Sequence, residues 1–357
     1  MSEQTYRAAI VGLGGIAIGR SRQEVTPPPF AREVLNRHVH TIHGLPNIEL
    51  VAVCDIAPAA VDRFKDLWGK DLPETRTYAD VGEMLSNEKL DIVGIATADH
   101  AHAAVTVEVA HSGVKGIFVE KPLATSLEDA DSMIAACEAN NVVLNVDHTR
   151  RYRPLVHTVR QAIRDGAIGE VGAAALHHFG TAATLFRNGT HFIDVMCFVI
   201  DSAPVKVSAL LDEGFDDWDR YRGDGGRTRG AEPGAIGTII FSNGVRASYT
   251  STIHNSFYST GMMVTGSEGN IEFEMNGDSA RLTSGHVTSP LGPSVQTIVP
   301  NQYQIIGIPA GYRELMDVIE NGVSSVSPAR EARKTIQIMT GFLQSHQQGS
   351  RLIDVPA

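Results

Sequence analysis

The sequence predicts a two-domain chain that begins with an α/β half, a doubly wound parallel sheet, and continues into a second domain rich in strands. Three observations lead there. The chain has 357 residues, and at roughly 100–200 residues per domain that is room for two. Its first half alternates short β-branched runs with longer amphipathic stretches. A glycine-rich turn directly follows the first of those runs.

The runs come in order. Ala8 to Val11 ends in Gly12, and Glu49 to Cys54 is closed by Asp55. Asp91 to Ala96, Lys115 to Val119 and Asn141 to Asn145 follow. Between them lie Ala57 to Trp68, Ala101 to His111 and Ser126 to Glu138, with apolar residues at helical spacing. Ser126 and Asp129 form an S-x-x-D helix start. Strand alternating with helix gives a parallel sheet buried on both faces, which is why the strands read as continuous apolar runs.

The glycine turn reads Gly12-Leu13-Gly14-Gly15-Ile16-Ala17. It fits G-x-G-x-x-G/A with alanine in third place. The first glycine makes the tight turn, the second lets backbone approach a pyrophosphate, and the third position needs only a small residue. This points to a dinucleotide and to a Rossmann domain over residues 1–148. Its usual partner is an acid at the end of the second strand. Asp55 is of the right kind but lies 43 positions after Gly12, against the usual roughly 20. Ser21 to Arg37 accounts for the excess, because Pro27 to Pro29 stand in a row there and no helix interior tolerates them. That segment reads as an insertion before a helix at His38 to Leu45. A carboxylate at Asp55 accepts hydrogen bonds from ribose hydroxyls and repels a 2′-phosphate, so NAD is favoured over NADP. A helix-capping role for Asp55 is compatible with this.

Composition narrows the classes. Hydrophobic content of 43% with 20% charged residues suits a soluble globular protein with a large core. The net charge of -11 argues against a nucleic-acid partner held by phosphate contacts. No run approaches the roughly 18 apolar residues that span a bilayer, so no membrane association is expected. The first residues show no secretory pattern, and the expected location is the reducing cytoplasm. Cys54, Cys137 and Cys197 are far apart and form no C-x-x-C. Buried small apolar side chains are expected rather than disulfides or thiolate zinc. His38, His40 and His43 have a poor spacing for a metal, because i and i+2 do not share a helix face. No metal is expected.

Several segments together resemble the Gfo/Idh/MocA oxidoreductases, the family of glucose–fructose oxidoreductase and inositol dehydrogenase. They are the glycine turn, the strand ending at Asp55, Ala96-Thr97-Ala98-Asp99-His100-Ala101-His102, and Glu120-Lys121-Pro122. Gly189-Thr190-His191-Phe192-Ile193-Asp194, Val264 to Gly269 and Arg313-Glu314-Leu315 add to them. The resemblance implies a second, α+β domain over 149–357, built on a large, mostly antiparallel sheet. One sheet face carries helices and lines the active site, and the other often joins subunits into a homodimer or homotetramer. Strand-like runs at Val205–Leu211, Ala235–Phe241, Val245–Thr252, Met262–Thr265, Asn270–Glu274 and Ala280–Leu282 agree with it. So do helical runs at Pro154–Arg164, Thr190–Ile200, Gly311–Glu320 and Pro328–Gln347.

The resemblance also implies site residues. Lys121, at the end of the fifth strand, bonds the substrate oxygen and serves in proton transfer. A desolvated lysine near other cations can act near neutrality. A solvated lysine or a partner for Glu120 is the plainer reading. His191 is a second proton-transfer or hydrogen-bonding group. Asp194, three residues on, shares its helix face and orients it or touches substrate. Asn188, Tyr152 and Arg151 are substrate-binding candidates, and Arg151 could equally form an ion pair. Cofactor contacts fall to Gly12, Gly14, Gly15, Ile16, Asp55, Ala96, Thr97, Asp99, His102, Glu120 and Lys121. His102 reads as capping the next helix rather than as catalytic.

There is one departure from pattern. Arg187 stands four residues before His191, where sugar and cyclitol dehydrogenases commonly carry aspartate. That argues against a plain inositol dehydrogenase, and an arginine could favour a carboxylate or phosphate on substrate. One of His177 and His178 can face a pocket, since side chains alternate along a strand. Trp218 and Tyr221, in the charged loop Asp212 to Pro233, could stack on a sugar ring, or the loop could be solvated.

The reading that follows is an NAD-dependent oxidoreductase moving hydride between nicotinamide and a secondary alcohol or ketone. The substrate is a small polyhydroxylated molecule: a sugar, sugar derivative or cyclitol. Two others stay open: an NAD-dependent glycoside hydrolase working by transient oxidation and elimination, and a catalytically silent dinucleotide-binding regulator.

Overall fold

A computed structural model describes residues 5–19, 37–180, 185–222, 228, 230–252, 257–285, 292–300 and 305–356. Residues 21–36 of the expected insertion, and 223–227 and 229 of the charged loop, lie outside the described residues. The chain divides into two compact units. The first comprises Met1–Ala124, Glu128–Thr149 and Ile305–Ala329, and the second Thr125–Leu127, Arg150–Gln304 and Arg330–Ala357.

The first unit holds a six-stranded sheet. Its strands are β1 (Tyr6–Val11), β2 (Ile48–Cys54), β3 (Arg76–Tyr78), β4 (Ile92–Ile95), β5 (Gly116–Val119) and β6 (Val143–Val146). They lie in the order β3-β2-β1-β4-β5-β6, and every pair is parallel. The middle strands β1 and β4 are almost wholly buried, as a sheet covered on both faces requires. The order reverses between β1 and β4, where doubly wound sheets open a ligand crevice.

Local chemistry sets the helices. Pro58 opens α3 (Pro58–Trp68) at its first position, where the missing N–H costs nothing. Phe64, Leu67 and Trp68 from its apolar face are buried in the core. Two shorter helices precede it, α1 (Gly15–Ile18) and α2 (His38–Gly44). The helix after β4 is α5 (His102–Ala110), following α4 (Val81–Asn87). After β5 comes α6 (Leu127–Ala139).

Residues 305–329 fold with the first unit rather than with their sequence neighbours, so a single boundary at residue 148 does not describe the arrangement in space. The reason is burial. Helix α9 (Ile308–Asn321) places Ile308, Tyr312, Leu315 and Met316 in the first core. Asn145 of β6 donates to Glu314 and accepts from Ser325, and Val146 donates to the Ser327 carbonyl. The returning segment is therefore hydrogen-bonded to the edge strand.

The second unit holds a nine-stranded sheet: β7 (Val171–Phe179), β8 (Pro204–Leu211), β9 (Ala235–Phe241), β10 (Arg246–Thr252), β11 (Ser259–Gly266), β12 (Gly269–Glu274), β13 (Ala280–Ser284), β14 (Ser294–Ile298) and β15 (Ile353–Asp354). The order is β14-β13-β12-β11-β7-β10-β9-β8-β15. All pairs are antiparallel except β7 with β10. This is the large, mostly antiparallel sheet that the resemblance implies. Its helices are α7 (Pro154–Arg164), α8 (Gly189–Ile200) and α10 (Ala329–Gln347).

Helices cover one face of this sheet. His178 of β7 meets Phe192 of α8, and Tyr249 of β10 meets Phe342 of α10. On the other face Leu210 is 57% exposed, Ile236 61% and Met263 41%. All three cysteines are buried, and burial raises each thiol to about 12. No described helix is long and apolar enough to cross a membrane.

Candidate functional site

The residues singled out from sequence fall into two sets, one in each unit. In the first unit they gather at the carboxy-terminal ends of neighbouring strands. Gly12 follows β1 with φ of 92°, and a Cβ there would sit 2.5 Å from the Ala96 carbonyl carbon and the Thr97 nitrogen. Only glycine fits, for backbone and space alike. Gly14 is the opposite case. A Cβ on it would meet nothing within 4 Å, so the turn opens onto space that a ligand could fill. Gly15 and Ile16, just inside α1, are half-buried.

Asp55 closes the ring of contacts around this turn. Its Oδ2 accepts the Leu13 N–H at 2.7 Å and its Oδ1 accepts the Ala57 N–H at 2.8 Å. The N-cap of α3 is Ala57, so Asp55 braces the strand-to-helix turn from two residues before it. The 43-position gap is bridged in space, and the acid lies against the glycine turn as the Rossmann pattern requires. Ala96 and Asp99 are buried after β4, with Thr97 half-buried between them.

Glu120 and Lys121 follow β5, and the Lys121–Pro122 peptide is cis. Glu120 is buried, and its Oε2 accepts the Lys121 backbone N–H at 3.2 Å. Its Oε1 lies 3.2 Å from Nε2 of His38, whose Nδ1 lies 2.9 Å from the Tyr312 hydroxyl. Polar atoms of His38, Glu120 and Asp147 approach within 4.8 Å of one another. Burial pushes the Glu120 carboxyl up. The hydrogen bond and charge of His38, the charge of Lys121 and a bond with Asp147 outweigh it and hold the group at about 2.

That depression has a stability consequence. A carboxyl whose folded value lies below its unfolded value stabilises the fold above the unfolded value of about 4.3. The contribution fades as pH falls towards 2. Glu120→Gln is therefore expected to flatten the fall in melting temperature between pH 5 and pH 3. Thermal melts across that range check it. An unchanged slope would show that Glu120 titrates alike in both states.

His102 corrects one expectation. It does not cap a helix, for it is the first residue of α5, whose N-cap is Ala101 without a side-chain bond. It is fully buried, and its Nδ1 lies 2.9 Å from the Pro122 carbonyl. A carbonyl only accepts, so Nδ1 carries the proton. Burial lowers the imidazole against the opposing pull of Asp99, Pro122 and Glu120. A neutral histidine thus ties the loop after β4 to the Glu-Lys-Pro turn.

In the second unit, His191 lies in the first turn of α8, is 4% exposed, and donates its N–H to the Asn188 carbonyl at 3.1 Å. Asn188 is half-buried at the N-cap. Arg151 and Asp194 are brought together: Nε donates to Oδ2 at 2.7 Å, and both side chains are buried. Arg151 also lies over the Phe198 ring, 4.9 Å from its centroid, and 3.8 Å from Glu331. Tyr152 is buried beside it. Of the neighbouring histidines, His178 faces α8, and His177 faces the other side, 3.0 Å from the Ser259 hydroxyl.

Phe186 and Arg187, just before α8, are held by a residue that no motif marks. Glu232 is fully buried. Its Oε2 accepts the N–H groups of Phe186 at 2.8 Å and Arg187 at 3.0 Å, and its Oε1 accepts the Tyr221 hydroxyl at 2.9 Å. Tyr221 stacks on Phe186 with centroids 4.8 Å apart. Its ring is thus engaged by protein rather than offered to a sugar. Asp147 and Tyr312 were missed likewise, and His38 was weighed only as a metal ligand. Only an alignment showing these positions varying together would have signalled them.

Comparison with known proteins follows this geometry closely. Residues 6–148 match the model described as "Oxidoreductase family, NAD-binding Rossmann fold", and residues 156–272 match the GFO/IDH/MocA C-terminal domain. The chain belongs to the Gfo/Idh/MocA family of oxidoreductases. Its first unit carries that family's NAD-binding domain. It is 27% identical to a D-apiose dehydrogenase of Paraburkholderia graminis, over 87% of this chain and 84% of that one. It is 28% identical to an inositol 2-dehydrogenase of Salmonella paratyphi B, over 57% of each. In fold it is similar to the WlbA dehydrogenase from Bordetella pertussis, solved with NADH and UDP-GlcNAcA, with TM-score 0.75, 19% identity, and 99% and 100% of the two chains covered. The residues present fit the cofactor: the turn is open at Gly14, and the Asp55 carboxylate lies against that turn.

Proposed function

We propose that this oxidoreductase is an NAD-dependent dehydrogenase acting on a secondary alcohol, or the corresponding ketone, of a sugar, sugar derivative or cyclitol. Lys121 and His191 serve in proton transfer. One observation carries the reading: the Glu120-Lys121-Pro122 turn follows β5 at the same end of the sheet as the glycine turn after β1 and Asp55 after β2.

Asp55 would accept hydrogen bonds from the ribose hydroxyls and disfavour a 2′-phosphate, which favours NAD over NADP. When bound, the nicotinamide accepts or gives the hydride. The protein supplies position and proton movement. Lys121 Nζ takes the substrate hydroxyl proton as the alcohol becomes a carbonyl, and His191 is assigned a supporting role in proton transfer. Asn188 and Tyr152 are assigned to substrate binding. Arg151 and Asp194, whose charges answer each other, fix the helix that bears His191.

The names of the relatives support a polyhydroxylated substrate. An NAD-coupled absorbance screen over sugars, sugar acids, nucleotide sugars and inositols tests this. NADH should form with at least one compound and more slowly with NADP in place of NAD. Cleavage of an aryl glycoside without net NADH would point to the hydrolase chemistry instead.

The open face of the second sheet is proposed to pair with another copy, giving a homodimer or homotetramer. Exposed Leu210 of β8 stands in register with exposed Ile236 of β9, an apolar patch of the kind that marks an interface. Sedimentation velocity at micromolar concentration should show an assembly; a lone protomer would contradict it.

A further inference from the structure

His38, Glu120, Asp147 and Tyr312 come from four separate segments and meet in the first unit beside the Lys121 peptide. His38 opens α2, Glu120 follows β5, Asp147 follows β6, and Tyr312 sits on α9. All four are buried. The Glu120 carboxylate accepts, so His38 Nε2 must donate to it. The Tyr312 phenol stays a hydroxyl, since burial, with Asp147 and Glu120 adding, holds its pKa well above the ordinary value. It engages the far ring nitrogen at 2.9 Å. His102, neutral and donating from Nδ1 to the Pro122 carbonyl, is a further titratable group at this turn.

We propose that His38 is a positioning residue for Lys121: its ring, held by the Tyr312 hydroxyl, fixes the Glu120 carboxylate beside Lys121 and so governs how readily the Lys121 amine releases its proton. This rests on the reading that Lys121 transfers the proton. The physics is simple. A negative carboxylate next to an ammonium stabilises the ammonium. A buried carboxylate keeps its charge only while donors satisfy it, and His38 is the side-chain donor from α2. Without that donor Glu120 holds its charge less firmly, and Lys121 loses part of the charge that holds its own proton.

The test reads the Lys121 amine directly, with neither substrate nor cofactor. The whole native protein is acetylated briefly with acetic anhydride at neutral pH. Mass spectrometry then gives the labelling of Lys121 relative to exposed Lys65. Only the free amine reacts. His38→Leu should raise the ratio about tenfold, the effect of one unit of proton affinity. Glu120→Gln should match it. His38→Gln keeps an N–H aimed at the same carboxylate and should stay within about twofold of native. Tyr312→Phe should move the ratio the same way by less.

A folded His38→Leu protein with native labelling overturns the proposal, and so does His38→Gln labelling like His38→Leu. If His38→Leu does not fold, native labelling in both Glu120→Gln and Tyr312→Phe overturns it. Failure of the underlying reading would look different. A Lys121→Met enzyme that still turns over would remove the proton-transfer role and leave the labelling pattern unchanged.

Discussion

Lys121→Met is expected to lower kcat by about 10²–10⁴-fold, the usual worth of a positioned acid or base, while NAD affinity stays within a few-fold of native. Methionine keeps the length and apolar stem and removes only the amine. The bond from the residue-121 backbone N–H to Glu120 survives the change, and so does the bond from His102 to the Pro122 carbonyl. The turn should therefore keep its shape, and the loss should fall on kcat rather than on binding. Steady-state rates with a substrate from the screen, beside a calorimetric NAD titration, separate the two. Retained turnover would remove Lys121 from the chemistry.

The second large effect is on stability. Asp194→Ala leaves the Arg151 guanidinium buried without the carboxylate that answers its Nε at 2.7 Å. Breaking a buried pair from one side typically costs about 3–5 kcal/mol, against a whole stability of about 5–15 kcal/mol. Glu331, at 3.8 Å, recovers little of this at that distance. Replacing both partners, as Arg151→Met with Asp194→Leu, should restore most of the loss, because no charge is then stranded. Urea unfolding of the three variants checks the order. If Asp194→Ala were as stable as native, the pair would not hold α8.

The fold was legible where pattern and burial agree. The runs before Gly12 and Asp55, and those around Ile92 and Ile117, are apolar because both faces of the sheet are covered, and each became a strand. Three strands were not read. β3 is three residues long, and β15 is two. β14 is exposed along most of its length, so no alternation marks it. β7 was visible only through the alternation of His177 and His178. The return of α9 to the first unit was hidden too, since its apolar face says that it is buried but not against what.

The candidate site divides the same way. Gly12, Asp55 and Lys121 were readable because each stands at the end of a strand, where chemistry is local in sequence. The 43-position gap to Asp55 was readable because three consecutive prolines betray an insertion. The His38 network was not. Glu120 lies 82 positions from His38 and Tyr312 lies 274 away, and no spacing rule links them. Glu232 was hidden for the same reason, as it lies 46 positions from Phe186.

The proposed catalysis depends on a dinucleotide lying along the turn between β1 and α1. Isothermal calorimetry of the native protein with NAD, repeated with Gly14→Val, measures this most directly. The turn around Gly14 is open, so valine there should fold normally yet fill the space left for the pyrophosphate. The account predicts saturable heat with NAD, weaker heat with NADP, and loss of both in the variant. No binding by the native protein at millimolar NAD or NADP, or undiminished binding by Gly14→Val, would contradict it.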